Sequence, residues 1–284
     1  MTPPARKPRP QHVLTVESTE QVGPHLVRVV ATGDSLVGLG GADATDAYVK
    51  LLFVDPDLGL EPPYDIDALR ESLPGDQLPV TRTYTIRWAD RQVGRIAIDF
   101  VTHGDTGYAG PWAQQAKAGD RLVLMGPGGA YAPAVETGWH LLAGDLSALP
   151  AIAAALEAMP AGARGTTLVE VESEDDVIDV DASADIDVQW VVNPDTDDID
   201  FLARAIDAAA WPEDVEAPDA VQVFAHGERE SIKAVRRVLR TKAALGLFDD
   251  PYRGTDPVRE QAMVGSQAHY ALAREAARES IVML

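Results

Sequence analysis

The tetrad RTYT at residues 82 to 85 places a cation, an aromatic ring and two hydroxyls within one short stretch. In an extended strand alternate side chains share a face, so Arg82 and Tyr84 point one way and the threonines the other. These groups suit a flavin nucleotide: arginine can hold a pyrophosphate, tyrosine can wall a ring system, and Thr85 can donate near the flavin N5 edge. Taken alone, the tetrad is equally compatible with an ordinary barrel surface.

Two later segments strengthen the flavin interpretation by their order. The run DFVTH at residues 99–103 ends a predicted strand and offers main-chain groups and the His103 imidazole to a ribityl chain or phosphate. The run GYAGPW at residues 107–112 bends at two glycines and enters a predicted helix at Pro111, whose free N–H groups suit a phosphate. Singly, His103 fits a structural role and the glycines an ordinary turn. Together they favour a flavin cofactor.

The segment LAGDLSALPAI at residues 142–152 marks a second candidate site. Asp145 and Ser147 stand at a predicted strand-to-helix turn, where Ser147 can cap the helix and exposed N–H groups can meet a phosphate. From the residues alone, helix capping is the better explanation, because many α/β helices begin this way. The chain has no G-x-G-x-x-G fingerprint, so an NAD(P) site rests on fold analogy.

Cationic side chains are candidates for an anionic substrate in a chain with 45 acidic and 24 basic residues. Lys50 lies in the middle of the predicted strand YVKLLFV and must reach a wet face or an anion. Lys233 and Arg237 belong to a basic stripe at helical spacing. The alternatives are a lysine stem lying along an edge strand and a solvated helix face.

Composition removes several classes of function. A net charge of −21 argues against binding to nucleic acid or anionic membranes. The absence of cysteine excludes disulfides and protein-ligated iron–sulfur clusters, so electrons must come from an organic cofactor or a partner. The acidic run at residues 176–188 is no calcium loop, because Ala184 and Trp190 replace the required Gly and Glu. We expect no metal site, no membrane span, no secretory signal, a cytoplasmic location and a monomer.

The strand and helix patterns predict a disordered arm and two domains. Residues 1–11 form the arm, and short alternating segments over residues 12–137 predict an all-β domain, a six-stranded antiparallel barrel. From Trp139 onward, buried strands alternate with helices, which predicts a Rossmann-like α/β nucleotide-fold domain with a parallel sheet over residues 138–284. A final helix over residues 256–280 completes the chain.

The combined RxYT, DFVxHG and AGPW pattern resembles the siderophore-interacting proteins, bacterial flavoproteins of the ferredoxin reductase-like superfamily that use FAD to reduce ferric siderophores. Matching segments span about residues 12–240. The resemblance implies FAD as cofactor, NAD(P)H as electron donor, a ferric siderophore as substrate, and Lys50 near the flavin opening. It implies FAD contacts at Arg82, Tyr84, Thr85, Asp99, Phe100, Val101, His103, Gly107, Ala109, Gly110, Pro111, Trp112, Asp145, Ser147 and Ala148.

Two departures from the family pattern bear on the substrate and the electron donor. Family members commonly end with a Gly-Tyr-Trp-Arg segment, which this chain lacks, and many have an arginine where this chain has Gly128 and Gly129. Two alternatives to an NAD(P)H-dependent reductase therefore stay open. One is a flavin-containing siderophore-binding protein with little turnover, and the other is the same reductase supplied with electrons by ferredoxin.

Overall fold

A computed structural model describes residues 10–37, 44–104, 106–182, 185–209 and 221–244. The predicted final helix and all but the last two residues of the predicted arm lie outside the described residues. Gln11, assigned to the disordered arm, instead begins the first strand. Its side-chain amide donates to the Tyr64 carbonyl at 2.7 Å and accepts from the Tyr64 N–H at 2.8 Å, which fixes the chain at this point.

The N-terminal half is a closed barrel of six antiparallel strands, as predicted. The strand order around the barrel is β1-β2-β5-β4-β3-β6. Alternate residues of each strand face inward and form one core that includes Leu14, Val29, Leu51 and Ile98. The strands are β1 (Gln11–Gly23), β2 (Leu26–Thr32), β3 (Tyr48–Phe53), β4 (Val80–Asp90), β5 (Arg95–Val101) and β6 (Arg121–Gly128).

Two short helices accompany the barrel, α1 (Ile66–Ser72) and α2 (Ala109–Gln115). The second begins two residues before the predicted start at Pro111, because proline lacks only an N–H that the first helical turn leaves unbonded. The ring of Trp112 in α2 lies 5.8 Å from that of Phe53, so the helix packs over the barrel core.

The C-terminal half is a four-stranded parallel sheet in the order β10-β7-β8-β9. One face packs Leu142 and Phe224 against α3 and the barrel, and the other packs Leu141 and Leu168 against α4 and α5. The predicted α/β fold is therefore confirmed. The elements are β7 (Trp139–Asp145), α3 (Leu149–Glu157), β8 (Arg164–Val171), β9 (Asp185–Val192), α4 (Phe201–Ala208), β10 (Val221–His226) and α5 (Arg229–Ala244).

The two halves meet through an apolar contact and through charged pairs. Leu26 of the barrel is buried in the same cluster as Leu142 and α3. Arg87 of β4 donates to Glu157 at the end of α3 at 3.0 Å, and His25 of the β1–β2 turn contacts the buried Asp176 carboxylate at 2.7 Å. Among the described residues, no helix has the length and apolar character needed to cross a membrane.

Tyr131, which follows the barrel, carries a buried hydroxyl that has no hydrogen-bond partner in the described part of the chain. Its ring lies 4.4 Å from that of Phe224, and burial, together with the nearby Asp46 carboxylate, raises the pKa of Tyr131 to about 12. We expect Tyr131→Phe to leave the free energy of unfolding unchanged or to raise it by up to about 1 kcal/mol, because the desolvated hydroxyl gains nothing in return. Urea unfolding of the FAD-free protein measures this change. A loss above about 1 kcal/mol would contradict the prediction, since it would reveal a bonded hydroxyl.

Candidate functional site

The tetrad at residues 82–85 lies in the first half of β4, beside β3. Arg82 is opposite Leu51 and Tyr84 is opposite Val49, and both partners belong to the barrel core. Arg82 and Tyr84 therefore share the inward-facing side of β4, and the tetrad threonines take the other side, where Thr83 is opposite Lys50. The predicted alternation of this strand is confirmed.

Aromatic contacts join the tetrad to the two segments that follow it in sequence. The Tyr84 ring lies 4.5 Å from that of Phe100 in β5, which lies 5.5 Å from that of Trp112 in α2. The Arg82 guanidinium lies 5.5 Å from the Tyr108 ring, just before α2. Burial raises the pKa of Tyr84, and the Arg82 charge opposes that shift. The three predicted segments thus converge on one edge of the barrel.

Residues of β5 divide between this edge and the opposite face of the strand. Phe100 is fully buried in the barrel core, so its side chain serves packing. Asp99 is 4% exposed and accepts two hydrogen bonds from Arg28, at 2.7 and 2.8 Å. This hydrogen-bonded carboxylate raises the pKa of Arg28. Because the Asp99 carboxylate is committed to Arg28, a contact of Asp99 with FAD stays a prediction that would use its main chain.

The glycine turn before α2 leaves open space beside the tetrad. Gly107 has φ +84°, and a Cβ there would meet no atom within 4 Å. At Gly110 a Cβ would lie 3.3 Å from the Val101 carbonyl oxygen, so the glycine lets α2 pack closely on the end of β5. No carboxylate pairs with Arg82 in the described part of the chain, and its guanidinium donates to the carbonyl of its neighbour, Thr81. An unpaired guanidinium beside an open turn fits the pyrophosphate of FAD.

A cavity of about 420 Å³ lies between the barrel and the carboxyl ends of the parallel strands. Val101 and His103 reach it from the barrel, and Asp145 and Ser147 reach it from the sheet. The structure therefore brings these four predicted site residues to one crevice. Six carboxylates line the crevice: Asp145, Glu170, Glu172, Asp176, Asp198 and Glu228.

Asp145 connects the starts of two helices at this crevice. Its Oδ1 accepts from the Ser147 N–H at 2.8 Å, the Ser147 hydroxyl at 2.5 Å and the Ala148 N–H at 3.2 Å. Its Oδ2 accepts from the Glu228 N–H at 2.5 Å, before α5. Ser147 does not cap α3, because the N-cap residue of that helix is Ala148 and no side chain caps it. At Gly227, whose φ is +144°, a Cβ would lie 2.5 Å from Asp145 Oδ2, so the contact requires glycine.

Glu170, near the end of β8, is a half-buried carboxyl that the sequence analysis did not single out. Asn193 donates to it at 2.6 Å from the end of β9. Burial raises the pKa of Glu170, the Asn193 hydrogen bond opposes this, and the neighbouring Asp145 and Asp198 carboxylates raise it further. The ionised form of Glu170 is therefore less favourable in the folded protein than in the unfolded chain.

We expect Glu170→Gln to make the protein more stable at neutral pH. The folded pKa of Glu170 lies above its ordinary value of 4.5, so ionisation reduces wild-type stability as pH rises through the interval between them. Glutamine keeps an acceptor for Asn193 and removes the charge. Unfolding curves at about pH 4 and about pH 7 should coincide for the two proteins at the lower pH and separate at the higher one. Glu71→Gln, at an exposed site on α1, is the control, and equal curves at both pH values would contradict the prediction.

The three predicted substrate contacts fall on different domains. Lys50 lies on β3 and makes no ion pair in the described part of the chain. On α5, Lys233 contacts Glu230 at 2.6 Å and Arg237 contacts Asp200 at 2.8 Å, so carboxylates already match both charges. A role of Lys233 or Arg237 in substrate binding stays a prediction, and Lys50 is the cation left available.

A closed six-stranded barrel with an RxYT strand, followed by a parallel nucleotide-fold sheet, gives the chain a ferredoxin reductase-like fold. Two family models cover most of its length. The siderophore-interacting FAD-binding domain matches residues 15–131, and the siderophore-interacting protein model matches residues 137–247. The chain belongs to the siderophore-interacting protein family, and its cofactor is FAD.

Individual relatives and a solved structure agree with this assignment. The ferric vibriobactin reductase ViuB of Vibrio cholerae is 36% identical over 228 residues, 78% of this chain and 80% of that protein. An NADPH-dependent ferric-chelate reductase of Escherichia coli is 33% identical over 148 residues, 51% of this chain and 56% of that protein. The crystal structure of a siderophore utilization protein from T. fusca aligns with a TM-score of 0.70 and 32% identity, over 83% of this chain and 88% of that one.

Proposed function

We propose that this protein is a cytoplasmic FAD-dependent reductase that moves electrons from a nicotinamide nucleotide to the iron of a ferric siderophore. The observation that carries the proposal is the Arg82 guanidinium, which no carboxylate of the described residues pairs, beside the open turn at Gly107 and next to the half-buried Tyr84 ring. FAD, when bound, accepts a hydride and releases single electrons. In this proposal Arg82 and His103 hold phosphate or ribityl groups, Tyr84 lies along the ring and Thr85 donates at its edge.

The substrate side of the proposal rests on Lys50. It lies opposite Thr83 of the tetrad, on the outward side of β3, so an anionic chelate that contacts Lys50 would lie beside the cofactor strand. ViuB is named for a ferric siderophore and the Escherichia coli relative for a ferric chelate, which supports the same substrate class. The released iron is the ferrous ion, which siderophores bind less tightly, and the reduction itself needs no acid or base from the protein.

The departure at Gly128 and Gly129 has a local explanation. A Cβ at Gly128 would lie 2.8 Å from the Tyr48 ring, and one at Gly129 would lie 2.9 Å from the Ala44 Cβ. An arginine at position 128 would require the Tyr48 ring to move, and one at position 129 would require the backbone at Ala47 to shift. The missing Gly-Tyr-Trp-Arg segment agrees with one alternative, a flavin-containing protein that binds ferric siderophore with little turnover.

An anaerobic assay tests the proposed function. The purified protein is loaded with FAD, mixed with NADH or NADPH, and followed by loss of flavin absorbance before a ferric chelate and a ferrous-iron indicator are added. Bleaching followed by formation of ferrous iron is expected. Failure to retain FAD contradicts the proposal. Retained FAD that only reduced ferredoxin bleaches supports the ferredoxin-dependent reductase, and retained FAD that no donor bleaches supports the binding protein.

A further inference from the structure

The crevice lies where a parallel sheet holds the adenosine half of a dinucleotide. In such folds the dinucleotide crosses the carboxyl ends of the strands, and an acidic residue after the second strand bonds the ribose 2′-hydroxyl of NAD. Here β7 is the first strand of the sheet and β8 the second in chain order. Glu170 lies near the end of β8 and Glu172 just past it, and both line the crevice. These carboxylates are placed to accept from a free 2′-hydroxyl and to repel a 2′-phosphate.

The Arg204 guanidinium, which could favour a 2′-phosphate, already pairs with a carboxylate. Arg204 of α4 donates from Nη1 to Asp198 Oδ1 at 3.1 Å, with a second contact to the other oxygen. Asp198 itself lines the crevice. The Arg204 hydrogen bond lowers the pKa of Asp198, and the same bond raises the pKa of Arg204, so both stay ionised and paired near neutral pH. Asp198 is therefore a third carboxylate beside Glu170 and Glu172, and it keeps the Arg204 guanidinium paired.

The two histidines of the crevice do not offset the negative charge of its carboxylates. His25 contacts Asp176 at 2.7 Å, and His103 lies 3.7 Å from Glu172, so each imidazole already faces a carboxylate. The pyrophosphate is common to NADH and NADPH, so its own interactions cancel when the two nucleotides are compared. The 2′-phosphate is what remains to distinguish them.

Resting on the proposed function, we propose that this crevice is the nicotinamide-nucleotide site and that it selects NADH over NADPH. Glu170 and Glu172 accept from the adenosine ribose of NADH, and they repel the 2′-phosphate of NADPH together with Asp198. Asp198 is a specificity-determining residue because it keeps Arg204 from binding that phosphate. This is selection by repulsion of the wrong nucleotide.

Asp198→Asn is the informative substitution because it should improve the use of NADPH. The variant removes one negative charge and releases the Arg204 guanidinium toward the crevice. In the FAD-loaded wild type we expect kcat/KM for flavin reduction to be at least about tenfold higher with NADH than with NADPH, and the variant to shift that ratio about tenfold toward NADPH. Calorimetric titration with NAD⁺ and NADP⁺ should show the same shift in affinity, independently of turnover. Rising salt should narrow the wild-type preference, because the repulsion is screened.

Asp67→Asn is the matched control, since it frees Arg70 from a similar exposed pair on α1, at 2.9 Å. This control should leave the nucleotide ratio unchanged. Equal or better use of NADPH by the wild type, an unchanged ratio in Asp198→Asn, or no binding of either nucleotide would overturn the inference. Reduction of ferric chelate by dithionite-reduced flavoprotein is a separate readout. If the reduced flavoprotein reduces the chelate but neither nucleotide reduces the flavin, the proposed reductase is supported and the nucleotide site is contradicted. If the chelate is not reduced but NADH is preferred over NADPH, the nucleotide site is supported and the proposed reductase is contradicted.

Discussion

Replacing Arg82 with alanine is expected to weaken FAD binding by about ten- to a hundredfold, because a hydrogen bond to a charged group contributes about 1.5–3 kcal/mol. The Arg82 guanidinium has no carboxylate partner in the described part of the chain and lies over Tyr108, next to the open Gly107 turn. Removing Arg82 therefore leaves no carboxylate of the described residues without a partner, so the change in affinity reports the lost contact with FAD. Titration of FAD into the cofactor-free protein, followed by quenching of flavin fluorescence, measures the change.

Arg95→Ala provides the matched control for that experiment. Arg95 is also a barrel arginine that lies over an aromatic ring, 5.8 Å from that of Trp88, but it is paired with Glu17. Its removal should leave FAD affinity within about twofold of wild type, since exposed pairs contribute little. Arg82→Lys should give an intermediate affinity, because lysine keeps the charge and loses the bidentate geometry. Equal affinities for wild type and Arg82→Ala would place the pyrophosphate elsewhere.

Arg28→Ala is expected to lower the free energy of unfolding by about 3–5 kcal/mol, because it leaves the buried Asp99 carboxylate without its partner. Asp99 is 4% exposed and holds two short hydrogen bonds from Arg28. Urea unfolding of the FAD-free protein measures the loss. Replacing both residues together, as Arg28→Met with Asp99→Leu, should cost much less, because no charge stays buried. A single variant as stable as the double variant would show that the Asp99 carboxylate reaches water.

The barrel could be predicted from sequence because its strands alternate and the β1–β2 and β4–β5 turns are short. The same alternation limits what the sequence says about the site. Phe100 points into the barrel core, so its neighbour Asp99 must point out of it. The family resemblance places both residues at FAD positions, yet Phe100 packs the core and the Asp99 carboxylate binds Arg28. A position in a motif therefore identifies the strand that meets the cofactor, without saying which of its atoms do.

The crevice was less predictable because its contacts join distant parts of the chain. His25 and Asp176 are 151 residues apart, and Asp145 reaches Glu228 across 83 residues. No local sequence pattern predicts contacts between residues so far apart in the chain. The predicted turn at Asp145 and Ser147 was found in place, but the carboxylate takes the N–H groups that the sequence analysis offered to a phosphate. Asp145 can accept from both helix starts only because α5 lies close to α3, and the folded sheet determines that distance.

The Asp145 carboxylate has a consequence for any anion that approaches the helix starts. In binding terms it is a tethered competitor: it is already present at a high effective concentration, so a phosphate must first displace it from the Ser147 and Glu228 amides. The apparent affinity for an anion at these amides is the intrinsic affinity multiplied by the fraction of time that Asp145 leaves the amides free. An anion at the carboxyl edge of this sheet therefore binds more weakly than it would at helix starts whose amides are open.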